Sequence, residues 1–121
     1  MNRVFYPLYS DLEAVILFSG NVVSTFQISE AFENFVYVEI TYQYAEWASL
    51  WKTVRIYPGS STGNLDAWYY TTSTAQYYWK WFSAGGKQIS LGDGYFYDFD
   101  TKAMDTNVNI IEVTKVIGYR K

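Results

Sequence analysis

The sequence predicts an all-β fold, an antiparallel β-sandwich of jelly-roll type with about eight short strands, on three observations. Apolar residues recur at every second position far more often than at helical spacing. Clusters of Gly, Pro, Asn, Asp and Ser punctuate the chain at intervals of about ten residues. Between them lie the residue types that suit a pleated, half-buried surface: the 121 residues include 13 Tyr, 8 Phe and 5 Trp, and 21% of the chain is aromatic.

Along the chain, Ala14 to Phe18 is a short apolar run closed by Ser19-Gly20-Asn21, a strand followed by a turn, and Thr25 to Ile28 resumes the alternation. Ser29 to Asn34 has a capping Ser and an inward Phe32 but is too short for an isolated helix, so it predicts a one-turn corner. From Phe35 to Tyr44, residues Val36, Val38, Ile40, Tyr42 and Tyr44 share one face and Tyr37, Glu39, Thr41 and Gln43 the other, as in a half-buried strand. Thr53 to Tyr57 is the next strand, stopped by Pro58-Gly59, with Thr62-Gly63-Asn64 as further turn chemistry. Trp47 and Trp51 fall on the stretch between these two strands, which reads as irregular. Ala67 to Thr74 and Gln76 to Phe82 read as two aromatic strands, and Gly85-Gly86 as the tight connection that follows. Gln88 to Leu91 and Tyr95 to Phe99 read as short strands on either side of a Gly92-Asp93-Gly94 turn. Asn107 to Tyr119 is nearly continuous in β-branched residues, which predicts a strand central in its sheet and buried on both faces.

Composition narrows the function. With 50% hydrophobic residues and 2 Pro, the chain is long enough for one core, and one domain over 1–121 is expected. A net charge of −3, with 9 basic residues scattered among 12 acidic ones, lacks the concentrated Lys/Arg surface that phosphate backbones need, so nucleic acid is not an expected partner. No uninterrupted apolar span lies between Met1 and Gly20, so neither a signal peptide nor membrane insertion is expected, and synthesis in the cytoplasm suffices. His and Cys are absent, which rules out Ser-His and Cys-His nucleophile pairs, thiolate zinc sites and a histidine switch. A catalytic role and a cofactor are therefore not expected.

The aromatic residues are the strongest functional signal. Trp47, Trp51, Trp68, Tyr69, Tyr70, Tyr77, Tyr78, Trp79 and Trp81 crowd one third of the chain, interleaved with Glu46, Lys52, Arg55, Asn64, Asp66, Gln76 and Lys80. Sugars present apolar C–H faces beside hydroxyls, and rigid rings next to polar groups satisfy both at once. In Gln76 to Phe82 the alternation sets Tyr77, Trp79 and Trp81 on one face and Tyr78, Lys80 and Phe82 on the other. Core packing and burial in a subunit interface would account for the same rings. A second cluster, Asp93, Asp98 and Asp100 with Asp105 or Asn107, offers oxygen ligands but no full Ca²⁺ pattern. Asp98 and Asp100 stand about 7 Å apart on an extended strand, a loose match to a glycosidase pair. Solvated turn carboxylates explain them as well, and no metal is expected.

The order of segments resembles a small C-terminal domain of tail and tail-fibre proteins of tailed bacteriophages and prophages. The matching residues are Leu17-Phe18-Ser19-Gly20, then Phe26-Gln27-Ile28-Ser29, Phe32, Asn34-Phe35, Val38 and Ile40, and at the end Ile110 to Gly118-Tyr119. The similarity spans about residues 14–119, and its motif residues are fold-setting. It implies a virion tail component, made in the bacterial cytoplasm, that forms a homotrimer and recognises a saccharide or protein on the host surface. Glu46 to Phe82 follows no pattern of that family, and it carries all 5 Trp. The expected ligand surface is therefore Trp47, Trp51, Trp68 and Trp79 with polar help from Arg55, Asp66 and Lys80. A purely structural virion component, with the rings buried between subunits, is the alternative, and a small glycan-active enzyme a third.

Overall fold

The computed structural model describes residues 11–44, 47–70, 72–106 and 111–121, with the backbone alone for 47–50. Nine strands are laid out in it: β1 (Glu13–Val22), β2 (Phe26–Gln27), β3 (Tyr37–Tyr44), β4 (Trp47–Ile56), β5 (Thr62–Tyr70), β6 (Ala75–Gly85), β7 (Gln88–Asp98), β8 (Ala103–Thr106) and β9 (Ile111–Arg120). They form two antiparallel sheets, one ordered β1-β9-β3-β4 and the other β2-β7-β6-β5, with β8 also paired to β7. The chain is thus the all-β sandwich that its alternation predicts. The expected corner is also present, as a single 3-10 turn at Phe32–Asn34 with Phe32 buried. It braces the β6–β7 hairpin: the Phe32 N–H donates to the Gly86 carbonyl at 2.7 Å, and the Gly86 N–H donates to the Glu33 carboxylate at 3.1 Å. Gly86 sits at φ 57°, a left-handed conformation that a residue with a Cβ adopts only with strain.

The core lies between the inner faces. Val38, Ile40, Tyr42, Tyr44, Ile111, Val113 and Val116 from one sheet meet Leu65, Ala67, Tyr78, Phe82, Ala84 and Ile89 from the other. Each fully buried large apolar side chain contributes about 1.5–3 kcal/mol relative to exposure. Polar contacts tie the layers: the Tyr42 hydroxyl donates to the Asp66 carbonyl at 2.9 Å and accepts from the Asp66 N–H at 3.1 Å, and the Tyr44 hydroxyl donates to that of Tyr78 at 3.3 Å. Burial, its main cause, pushes the Tyr42 phenol up to about 12. Gly118 is equally specific, since a Cβ there would come within 2.6 Å of the Phe35 ring.

β-Bulges account for the main departures from the sequence reading. β9 does lie in the middle of its sheet, between β1 and β3, but it is not buried on both faces. Its pairing with β3 shifts between Val113 and Lys115, so Ile111 and Val113 point inward before the shift and Val116 after it. The extra residue reverses the parity, and apolar side chains on both alternations then serve one core face. Asn107 to Ile110 lie outside the described residues. β7 behaves in the same way: Gly92-Asp93-Gly94 is not a turn but the bulged middle of one continuous strand. Ser19-Gly20-Asn21 likewise stays inside β1, where the pairing shifts between Ser19 and Val22. Thr62-Gly63-Asn64 opens β5 instead of making a turn, and Gly63 leaves room for the Phe82 ring, 3.1 Å from where its Cβ would stand. The stretch holding Trp47 and Trp51 is not irregular either; both belong to β4, which among the described residues is an edge strand paired with β3.

Candidate functional site

The two sheets turn very different outer faces to solvent. On the five-stranded sheet the register sets Trp68 of β5 beside Tyr77 of β6 and Tyr77 beside Tyr97 of β7. In the next row Asp66 stands beside Trp79, and Trp79 beside Tyr95; in the third, Asn64 stands beside Trp81. These residues alternate with the buried Leu65, Ala67, Tyr78 and Phe82, so strand periodicity alone brings the rings to one surface.

The rings form a connected ladder. Phe99 stacks on Trp68 at 5.5 Å and 16°, Trp68 meets Tyr77 at 4.6 Å, Tyr77 stacks on Trp79 at 5.2 Å and 24°, and Trp79 stacks on Tyr95 at 5.3 Å and 18°. Tyr97 closes the far side edge-on to Phe99 at 4.6 Å. The Phe99–Trp68, Tyr77–Trp79 and Trp79–Tyr95 pairs are nearly parallel and stack in the offset manner that aromatic quadrupoles favour, whereas Trp68 and Tyr77 are tilted by 45°. Much of each stacked face is therefore covered by the next ring. The surface remains open to solvent, with Trp68 51%, Trp81 46% and Phe99 45% exposed, and Tyr70 and Met104 exposed as well.

Asp66 anchors one border of the ladder. Its Oδ2 accepts from the Tyr77 hydroxyl at 2.8 Å, and its Oδ1 pairs with the Lys52 ammonium at 3.1 Å. Burial, followed by the Asp66 carboxylate beside it, pushes the Tyr77 phenol up to about 12.

The outer face of the four-stranded sheet carries a network of paired polar groups, with Ile16 and Trp51 exposed beside it. Arg55 donates to Glu39 through Nε at 3.3 Å and a terminal nitrogen at 3.0 Å, and its guanidinium lies 4.1 Å from the Tyr37 ring centroid. Tyr37, though on the outer parity, is only 5% exposed, packed by Tyr57 and Tyr119, while its neighbour Val36 is exposed. The Tyr119 hydroxyl also donates to Glu39, at 3.1 Å. Glu39 first, then Tyr57, holds the Arg55 guanidinium even more firmly protonated than usual. Thr41 bonds Thr53 at 3.0 Å, and Glu112 accepts from both Asn21 and Gln43 at 2.8 Å.

The residues expected to form one ligand surface are thus divided. Trp68, Trp79 and Asp66 come together on the aromatic face. Trp51, 63% exposed, pairs with Gln43 on the polar face of the other sheet, and Arg55 is committed there to Glu39 and Tyr37. The side chain of Trp47 lies outside the described residues. Lys80 is corrected outright: it is 0% exposed and points inward, where its ammonium donates to the Val23 carbonyl at 2.6 Å. Its place on β6 gives it the parity of Tyr78 and Phe82, and burial lowers its pKa, partly offset by Asp93. Tyr95, Tyr97 and Phe99 were missed as members of the aromatic face because the Gly92–Asp93 bulge hides their parity. Trp81, which the alternation sets on the face of Tyr77 and Trp79, lies on this surface as well, outside the expected ligand set.

The acidic residues nearby have local work. Asp98 ends β7, and its Oδ1 accepts from the N–H groups of Asp100 at 2.9 Å and Thr101 at 3.3 Å, which holds its carboxyl below the usual range. It shapes the β7–β8 turn and does not pair with Asp100 across a strand face. Among the described residues, no group of three or more acidic side chains is placed to hold a metal ion, and no helix is long and apolar enough to cross a membrane. Comparison with known proteins returns no matching family model, curated protein or solved structure.

Proposed function

We propose that this chain is a non-catalytic tail domain of a tailed bacteriophage or prophage that binds a host-surface saccharide through the outer aromatic face of its five-stranded sheet. The observation that carries the binding reading is the contrast between faces: the four-stranded sheet pairs Glu39, Arg55, Thr41 and Glu112 internally and exposes Trp51 and Ile16 outside any ring ladder, while the other gathers the half-open Trp68 and Phe99 into one connected set of rings with Tyr77, Trp79 and Tyr95. Exposed rings on a preorganised sheet lose little entropy on binding, and they match the apolar faces of pyranoses. Asp66 and the Tyr hydroxyls border them with hydrogen-bonding groups. The tail assignment rests on the motif resemblance, whose residues Phe26, Ile28, Phe32, Phe35, Val38 and Ile40 all serve the core.

The experiment is an array of purified bacterial capsular and cell-wall polysaccharides probed with the intact chain and with Trp68→Ala. The reading expects binding to at least one polysaccharide and its loss in the variant. Binding to none overturns it. The second reading, a structural virion component, draws on the ring stacking, because rings that cover one another's faces also suit packing against a neighbouring subunit. Trimerisation belongs to both readings. Sedimentation separates them: an assembly that dissociates in Trp68→Ala favours the structural role, and an assembly that survives while binding is lost favours recognition.

A further inference from the structure

The outer-face rings of β6 meet two kinds of neighbour on β7. Tyr77 is paired with Tyr97 and Trp79 with Tyr95, so in those rows an aromatic residue stands next to each ring. Trp81 instead faces the bulge at Gly92–Asp93, between the pairs Lys80–Gly94 and Phe82–Leu91. A Cβ at Gly92 would lie 3.5 Å from Cε3 of Trp81, an ordinary contact distance. The indole therefore borders the space that a side chain at 92 would fill, much as the Trp79 ring stands 5.3 Å from that of Tyr95. No ring contact engages Trp81 among the described residues, and it is 46% exposed. On the side of β7 away from β6, β2 pairs with Gln88 and Ile89, and β8 with Tyr95 to Asp98.

We infer that the gap beside Trp81 and over Gly92 is a subsite for one pyranose ring of a neutral saccharide, an inference that rests on the saccharide reading above. The sugar takes the place that Tyr95 occupies beside Trp79, with its apolar C–H face on the indole. Its hydroxyls meet Asn64, paired with Trp81 across β5, and Asp93 in the bulge. Both side chains are exposed, and no hydrogen bond engages either among the described residues. An apolar or aromatic side chain of a protein partner would fill the same gap but strip water from the amide and the carboxylate without replacing it, at a cost that a hydroxylated ring avoids. Neutral sugars are favoured over acidic ones because Asp93 belongs to the bulge that the sugar would cover and the chain is net negative, at −3.

The test titrates the intact chain with maltohexaose, cellohexaose and chitohexaose, with polysialic acid as the anionic control, following tryptophan fluorescence and isothermal heat. At least one neutral oligosaccharide should bind, and polysialic acid should not. Trp81→Ala should weaken that binding tenfold or more. Gly92→Tyr should abolish it by filling the gap with a ring from β7 while leaving the melting temperature unchanged or higher. Gly92 is not in the left-handed region, so the substitution carries no backbone strain there. If Trp81→Ala and Gly92→Tyr bind as the parent does while Trp68→Ala does not, this subsite is wrong and the aromatic-face reading stands. Binding of polysialic acid alone overturns the neutral class. If no saccharide binds and Gly92→Tyr instead changes the sedimentation coefficient, the gap is a protein contact, and both the subsite and the saccharide reading fall.

Discussion

The outer face of the four-stranded sheet and that of the five-stranded sheet are built from the same strand periodicity, yet they solve opposite problems. On the first, polar groups pair with neighbours one strand away: Glu39 with Arg55 and Tyr119, Thr41 with Thr53, Glu112 with Gln43 and Asn21. On the second, the cross-strand neighbours are rings, which stabilise one another by stacking but leave apolar surface in water. A self-satisfied face gains little from a partner. A half-exposed aromatic face gains by burying what it shows, and on the proposed reading that difference assigns recognition to the five-stranded sheet.

The largest effect should erase both faces together. Val113→Asp places an unpaired carboxylate at a position with 0% exposure between the sheets, costs several kcal/mol and unfolds the domain. Loss of the cooperative thermal transition and of the near-ultraviolet signal checks this, and an unchanged melting temperature would contradict the core assignment. Truncation then separates the faces. Trp68→Ala should remove about 1–4 kcal/mol of saccharide binding, the range for aromatic hot spots, whereas Trp51→Ala on the polar face should leave affinity within twofold. Stability should divide along the same line. Trp79→Ala deletes stacks with Tyr77 and Tyr95 and should lower stability by about 1–3 kcal/mol in urea unfolding, from two aromatic pairs. Arg55→Ala removes an exposed ion pair and a cation–π contact, and should cost only about 1 kcal/mol, with a dependence on salt.

pH sharpens the picture from inside. Tyr42 and Tyr77 keep their protons up to about 12 when folded, above the ordinary phenol value of 10.0. Their contribution is fully present below pH 10 and is lost as pH rises through about 12. Lys80 runs the other way. Its folded pKa lies below the ordinary 10.5, so the unfolded chain holds the extra proton in that window, and stability rises with pH across it. Lys80→Met should abolish the rise and keep the loss above pH 10. Thermal melts at closely spaced pH values read both, and a rise that survives the substitution would assign it to another group.

The fold was legible where alternation runs unbroken. Val38, Ile40, Tyr42 and Tyr44 fall inward as their spacing requires, and the corner at Phe32 follows from its neighbours. It was obscured where a bulge reverses the parity. Gly92-Asp93-Gly94 and Ser19-Gly20-Asn21 have the composition of turns, and only pairing with a neighbouring strand distinguishes a bulge from a turn. The site was half legible for a related reason. Local alternation separates Tyr77, Trp79 and Trp81 from Lys80, but it does not say which face is the inner one. Nor does a list of tryptophans reveal that Trp51 and Trp68 belong to different sheets, since that depends on where the chain crosses between β4 and β5.

Hydroxyl-radical footprinting of the chain with and without a saturating polysaccharide, read residue by residue by mass spectrometry, distinguishes recognition by the aromatic face from recognition by the polar one. Trp68, Trp81 and Phe99 should be protected, with Trp51 and Tyr57 oxidised as in the free chain. Protection of Trp51 and Tyr57 with Trp68, Trp81 and Phe99 unchanged would contradict recognition by the aromatic face.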